Sequence, residues 1–197
     1  MFNIYSNVRI CMENQNITLK TAPVSQAELM STLNKFQYVV MTGERRCKTR
    51  GDASITICII DKDSKYSHGS GDFKILLNGL PKSNEIFIIC KEDLSSHIGK
   101  QIDIFRDSNE GKLYIFPYRC FIMNILTHSL SVKHEILTQE ETASLGKFPH
   151  YIHPEHLPKI KETDVQAVWI GLRVGMICRI FRPSETAGEQ IVYRYCK

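Results

Sequence analysis

Two constellations in this chain have the residue types to react, and a third has the types to bind. Asp52, Asp61, Asp63 and Asp72 flank a strand-like run, and carboxylates that converge can hold a divalent metal that orients water for phosphodiester attack. Such a site also needs an acidic residue and a lysine from a neighbouring strand. Ile88-Ile89-Cys90-Lys91 supplies the lysine without the carboxylate, so turn-forming aspartates are the better account. His150, His153 and His156 could ligate zinc. Their i, i+3, i+6 spacing drifts around a helix, however, and Pro149, Pro154 and Pro158 argue for a loop carrying ordinary surface histidines. Nothing else resembles a catalytic triad, a phosphate loop or a nucleotide fingerprint, so no catalytic residue, metal, cofactor or small-molecule substrate is expected.

The third constellation is Arg182-Pro183-Ser184-Glu185-Thr186-Ala187-Gly188, set between two β-rich runs. Met176, Cys178 and Ile180, with Ile177 and Phe181 on the opposite face, precede it. After it, Ile191, Tyr193 and Tyr195 alternate with Val192, Arg194 and Cys196, the period of a strand. Pro183 lacks a ladder donor and Gly188 permits positive φ, so the chain is expected to leave the sheet at Pro183 and return, as a long hairpin with a polar tip. Arg182, Glu185 and Thr186 place charged and hydroxyl groups on a backbone stiffened by Pro183, which suits docking because little ordering entropy is lost. Taken alone, the heptapeptide also reads as a plain surface turn.

The elements that position these groups fall into two domains, 1–130 and 131–197, joined at the polar stretch Thr127–Ser131. In the first, Thr21 to Val40 reads as a helix, with Ser25 and Glu28 placed as a capping box and Leu29, Leu33, Phe36 and Val40 on one face. Strand-like runs at Ser54–Ile60, Glu85–Cys90 and Lys112–Phe116 alternate with candidate helices at Phe73–Asn78 and Ser95–Phe105. That alternation predicts an α/β sandwich with a partly parallel sheet. The second domain is expected to be a compact mixed α/β unit. Its short helices fall around Gln139–Leu145 and Asp164–Ile170, and its strands near Ile177–Phe181 and Ile191–Tyr195, making the chain α+β overall.

Composition excludes classes more than it selects one. With 197 residues and 43% hydrophobic content, the chain can bury one ordinary core or two small ones. Its seven cysteines are scattered and form no C-x-x-C pair, which points to free thiols packed as small hydrophobes in a reducing compartment. The longest apolar runs, such as Ile86–Cys90, are too short to span a bilayer, no secretory signal pattern opens the chain, and the Asn16-Ile17-Thr18 sequon is one by spelling only. A soluble protein with no membrane partner is therefore expected. Of the net charge of +4, most lies before residue 126, where 16 Lys/Arg face 13 Asp/Glu. The cluster Arg45, Arg46, Lys48, Arg50 there could track phosphates, but a short basic run is more commonly a solvated face.

The heptapeptide, with Tyr193-Arg194 close behind it, resembles the C-terminal signature of the small RNA polymerase subunit that the eukaryotic nuclear polymerases share and that archaeal polymerases carry without its N-terminal domain. Val132-Lys133-His134-Glu135-Ile136-Leu137-Thr138-Gln139-Glu140-Glu141 resembles the segment that opens the same domain. His156-Leu157-Pro158-Lys159-Ile160, Asp164 and Gly171-Leu172-Arg173-Val174-Gly175 resemble its middle, and the blocks keep the family's order over roughly the last third of the chain. The resemblance implies a non-catalytic subunit of a DNA-directed RNA polymerase. Its assembly domain would dock on the largest subunit through Arg182–Gly188, alongside other polymerase subunits, while magnesium and zinc belong to those partners. It also implies an N-terminal domain in the jaw around downstream double-stranded DNA, and Val24–Leu29 resembles that domain's helix start.

In eukaryotic members a Thr-Pro-Ser-Ala loop approaches the duplex. The aligned residues here are Asp93-Leu94-Ser95-Ser96-His97, a departure that keeps hydroxyls at Ser95 and Ser96 and adds Lys100 one helical turn beyond Ser96. Glu92 and Asp93 oppose a phosphate contact, so any binding is expected to be backbone-directed and salt-sensitive. Tyr114–Tyr118, followed by Lys133-His134 and Thr138–Glu141, looks closer to versions encoded by large cytoplasmic DNA viruses than to cellular ones, which implies a virion and host-cytoplasm location; a cellular version would be nuclear. Two other readings stand beside this one: a free DNA-binding transcription-accessory module, and a metal-dependent nuclease built on the aspartates.

Overall fold

In the computed structural model, residues 1–46, 52–61, 64, 66, 70–91, 102, 104–105, 112–145 and 153–197 are described. They form two compact units, Met1–Met123 and Asn124–Lys197, divided ahead of the polar stretch at Thr127–Ser131. Both units combine helices with a mixed sheet, so the chain is α/β in each half.

The first unit is organised by strands whose sequence leaves no face for water. β4 (Glu85–Cys90) is buried at every residue, and β3 (Ala53–Ile60) from Ile55 onward, the near-continuous apolar pattern of a parallel sheet covered on both sides. With β1 (Ile17–Leu19), β2 (Tyr38–Arg45) and β5 (Lys112–Pro117) they form the order β1-β2-β3-β4-β5. The β3–β4 and β4–β5 pairs are parallel, while β1–β2 and β2–β3 are antiparallel. α3 (Ser70–Gly79) links β3 to β4 and packs Phe73, Leu76 and Leu77 onto Cys58, Ile60, Ile86 and Ile88. The opposite face carries Met41, Ile57, Phe87 and Tyr114 in register. α1 (Phe2–Asn14) buries Tyr5, Val8, Cys11 and Met12, and its Arg9 Nη1 lies 3.9 Å from Met41 Sδ, which places it on that side.

One sequence expectation changes here. The helix expected over Thr21–Val40 is the shorter α2 (Gln26–Phe36). Its capping box forms as spelled, with Ser25 Oγ accepting from Glu28 N at 3.3 Å and Glu28 Oε2 accepting from Ser25 N at 2.8 Å. It stops because Gln37 turns left-handed (φ 62°), and the β-branched pair Val39-Val40 then continues as strand in β2. α1 lies in a segment for which periodicity gave no expectation, although Tyr5, Val8 and Met12 share one helical face. Of the helix expected at Ser95–Phe105, only Ile102, Ile104 and Phe105 are among the described residues, and all three are helical.

The basic cluster is also revised. Arg45 is not a solvated side chain: it is 3% exposed, and its guanidinium grips the Glu85 carboxylate through two bonds of 2.7 Å. Both residues fall on the Met41–Phe87 side by register, where a lone charge would be costly. Lys48 and Arg50 lie outside the described residues. Gly43, two residues before Arg45, lets β1 close on β2, since a Cβ there would sit 2.9 Å from the Thr18 carbonyl oxygen.

The second unit is a four-stranded sheet in the order β6-β8-β9-β7, from β6 (Lys133–Ile136), β7 (Lys159–Ile160), β8 (Ile177–Ser184) and β9 (Gly188–Cys196). α4 (Gln139–Leu145) and α5 (Val165–Ile170) carry its helices. α5, expected around Asp164–Ile170, is capped by Asp164 Oδ1 on Gln166 N at 2.9 Å and ended by Gly171 at φ 73°. Ala167 and Leu172 join Ile160, Cys178, Ile180 and Cys196 in one core, while Leu137, Leu145 and Ile177 form another. The six described cysteines are buried thiols outside any disulfide.

Glu85→Ala leaves the Arg45 guanidinium buried without that carboxylate and is expected to destabilise the N-terminal unit by about 3–5 kcal/mol in urea unfolding. The double variant Arg45→Met, Glu85→Leu is expected to be neutral or more stable than the native chain.

Candidate functional site

The hairpin is built by an unbroken antiparallel ladder. β8 and β9 pair from Ile177↔Tyr195 to Ser184↔Gly188, leaving only Glu185, Thr186 and Ala187 as the tip. The expectation that the chain leaves the sheet at Pro183 is therefore corrected, because Pro183 stays in the ladder opposite Glu189. The reason is register. Tyr195 N donates to Pro158 O and Cys196 N to Met176 O, so in β9 the odd-numbered residues point their backbone groups away from β8. Their partners in β8, Pro183 among them, likewise point away from β9, and β6 ends at Lys133↔Phe181 before reaching that position. Proline is thus placed where no donor is needed.

At the tip, Gly188 adopts φ 72°, the left-handed residue that closes a three-residue loop. Ser184 Oγ accepts from Ala187 N at 3.3 Å and lies 3.4 Å from Thr186 Oγ1, tying the loop to itself. Arg182, Pro183, Glu185, Thr186, Ala187 and Gly188 are exposed and Ser184 half-buried, so the tip offers fixed polar groups to solvent. A Cβ at Gly188 would meet nothing within 4 Å, leaving backbone strain as the only cost of substitution there.

Behind the tip the two resembling segments come together. β6 pairs with β8, and Arg179 on β8 binds Glu135 from β6 at 2.8 Å and Glu141 from α4 at 3.0 Å. Glu141 also completes a capping box with Thr138, accepting from its N–H at 2.8 Å. The Glu135 carboxyl is held below the ordinary range by hydrogen bonds from Lys133 and then Arg179, and Glu141 chiefly by the Thr138 amide. These side chains were not singled out from sequence, although the spelling Thr138-x-x-Glu141 is itself a capping signal.

The two faces of the sheet differ in burial. Cys196 is fully buried on the face it shares with Cys178 and Ile180, whereas Ile191 is 48% exposed and Tyr193 and Tyr195 are half-buried. On that more open face cations cover the rings: Lys133 Nζ lies 5.1 Å from the Phe181 centroid and Lys159 Nζ 4.8 Å from that of Tyr195. On the other face His134 Nδ1 donates to Val132 O at 2.8 Å, and burial lowers its pKa against the opposing pull of that bond and of Asp164. Arg194 and Arg182 add to the lowering.

The remaining sequence candidates do not assemble. Asp52 and Asp61 stand at opposite ends of β3, roughly 30 Å apart at the rise of a strand, so they cannot share a metal. Asp72 is in the first turn of α3, and Asp63 lies outside the described residues. His153 and His156 bring their rings to 5.9 Å across a single 3-10 turn, and His150 is outside the described residues. Among the described residues no three metal-ligating side chains converge, and no helix is long and apolar enough to cross a membrane. Ser95, Ser96 and Lys100 also lie outside the described residues.

Known proteins match this chain along most of its length. The family of the RNA polymerase Rpb5 C-terminal domain matches residues 123–196, which contain the whole hairpin. The DNA-directed RNA polymerase RPB5 homolog of African swine fever virus, isolate Pig/Kenya/KEN-50/1950, is 32% identical over 172 residues, 81% of this chain and 82% of that protein. The subunit rpabc1 of DNA-directed RNA polymerases I, II and III from Dictyostelium discoideum is 31% identical over 115 residues, 58% of each chain. RPABC1 from Caenorhabditis elegans is 41% identical over 73 residues, 37% of this chain and 34% of that one.

Gly188→Ala is expected to cost about 1–2 kcal/mol in thermal unfolding, the price of a left-handed backbone with no added clash. For His134 the sign follows from a folded pKa below its ordinary 6.5. Its contribution is complete above about pH 6.5 and is lost as pH falls toward the folded value, because the unfolded chain then binds the extra proton. His134→Gln is expected to flatten that acid-side decline in melting temperature.

Proposed function

The chain belongs to the RPB5 family of DNA-directed RNA polymerase subunits, and on that premise we propose that it anchors to the largest subunit through the hairpin Arg182–Gly188. The observation that carries the reading is the tip itself: polar side chains presented on a ladder closed up to Ser184↔Gly188, held by the Ser184 hydroxyl. Such a tip loses little entropy on docking, so its charged and hydroxyl groups can contribute to binding instead of to ordering a loop. The catalytic chemistry of the polymerase belongs to its other subunits, and this chain contributes geometry.

The N-terminal unit, in this reading, joins the jaw around downstream DNA. Ser95, Ser96 and Lys100 follow β4 in sequence and would meet the phosphate backbone, positioning the duplex without reading bases. What supports that part is kinship over most of the chain, including the N-terminal half, with a viral subunit. The same kinship supports a virion and host-cytoplasm setting; the cellular relatives point to the nucleus instead.

The experiment is recovery of polymerase by the tagged full chain from its native or infected cell, beside an Arg182→Ala, Glu185→Ala variant of unchanged melting temperature. The intact chain is expected to bring down the largest subunit, and the variant roughly tenfold less, a loss of about 1.4 kcal/mol. Recovery of no polymerase by the intact chain would overturn the subunit reading and leave a free DNA-binding accessory module.

A further inference from the structure

The β8–β9 ladder that orients the tip also determines where the free backbone groups of β9 lie. Because Tyr195 N–H points to β7 and Cys196 N–H to β8, the N–H and C=O groups of Ile191 and Tyr193 point outward on the side away from β8, while the Glu189 N–H is taken up within the tip by Ala187 O at 2.8 Å. β7 occupies that side only at Tyr195 and Cys196, where Lys159 and Ile160 pair in parallel. Among the described residues no strand lies beside β9 from Gly188 to Tyr193. The strand there is regular, with every residue from Gly188 to Tyr195 in register, and Ile191 leaves about half its surface in water. Bulges, prolines and very short length, the usual protections of a sheet edge, are absent from this stretch.

We propose that this open edge is a strand-addition site, at which an extended segment of a partner polymerase subunit hydrogen-bonds to the outward groups of Ile191 and Tyr193, in line with β7. The inference rests on the docking reading and names the form that docking takes. The edge already accepts a strand at its far end, so an incoming segment extends an existing arrangement. Side chains narrow the occupant further. One face beside the edge presents Ile191 and Tyr193, which fit apolar side chains of the incoming strand.

The other face carries Gln190 and Val192, with Arg182 directly across the ladder from Gln190. Arg182 and Arg194 both bear on His134, where Asp164 is the opposing charge, and the Nε of Arg194 is buried without an acceptor. That face therefore fits acidic side chains. The occupant is an extended segment that alternates apolar and acidic residues.

Amide hydrogen exchange on the full chain, free and within assembled polymerase, tests this. In the free chain the amides of Ile191 and Tyr193 should exchange fast, and those of Val192 and Arg194, which point to β8, slowly. Assembly should slow Ile191 and Tyr193 by tenfold or more. Ile191→Pro removes an outward donor and no internal ladder bond, so it should keep slow exchange at Val192 and Arg194 yet recover at least tenfold less polymerase than Ile191→Ala.

Unchanged exchange at Ile191 and Tyr193 in the assembled enzyme would overturn the inference, as would their protection in a free chain that sediments as a dimer. If the Arg182→Ala, Glu185→Ala variant loses polymerase while Ile191→Pro retains it, docking through the tip stands and strand addition falls. If the native chain recovers none, the docking reading fails and this inference falls with it.

Discussion

The register of a single antiparallel ladder governs the C-terminal unit. Once Ile177 faces Tyr195, every later assignment follows by alternation: which residues of β8 and β9 turn inward, which backbone groups bond, and which are left outside. Pro183 is tolerated because this register puts it where β6 has ended, and Gly188 closes the loop because a residue there must be left-handed. With β9 held in place, a shift of β8 by one residue would bring Cys178 to the open face, away from Cys196, and put Pro183 where a donor is required. Tip, faces and edge are thus consequences of one constraint.

Charge is handled differently in the two units. In the N-terminal unit Arg45 and Glu85 are taken out of water together, as a bidentate pair whose mutual attraction offsets the desolvation of each. In the C-terminal unit Arg179 keeps about a third of its side chain exposed while bonding Glu135 and Glu141, so its pairs contribute little energy, but they tie β6 and α4 to β8. The cysteines follow the same division between buried and wet. Burial pushes the thiols of Cys178 and Cys196 up to about 11 and that of Cys58 higher still, which keeps them protonated and packed as small apolar groups.

Much of this protein could be read from its residues in order. The strands β3 and β4, the capping box of Ser25 with Glu28, and α5 between Asp164 and Gly171 are local events, in which groups close in the chain satisfy one another. The family was legible for the same reason, since its signatures are short continuous runs. What the sequence left open were the placements that depend on partners far along the chain. Arg45 looked like a surface cation because Glu85, forty residues on, becomes its neighbour only through β3. Pro183 looked like a strand end because only the length of β6 decides whether its missing donor matters. Asp52 and Asp61 could share a metal only by converging, and the strand between them holds them apart, in keeping with their reading as turn residues. Local pattern by itself determined the elements and the kinship. Tertiary pairing alone decided which charges are buried, where the hairpin ends and which edge is left unpaired among the described residues, because those depend on contacts that sequence distance does not encode.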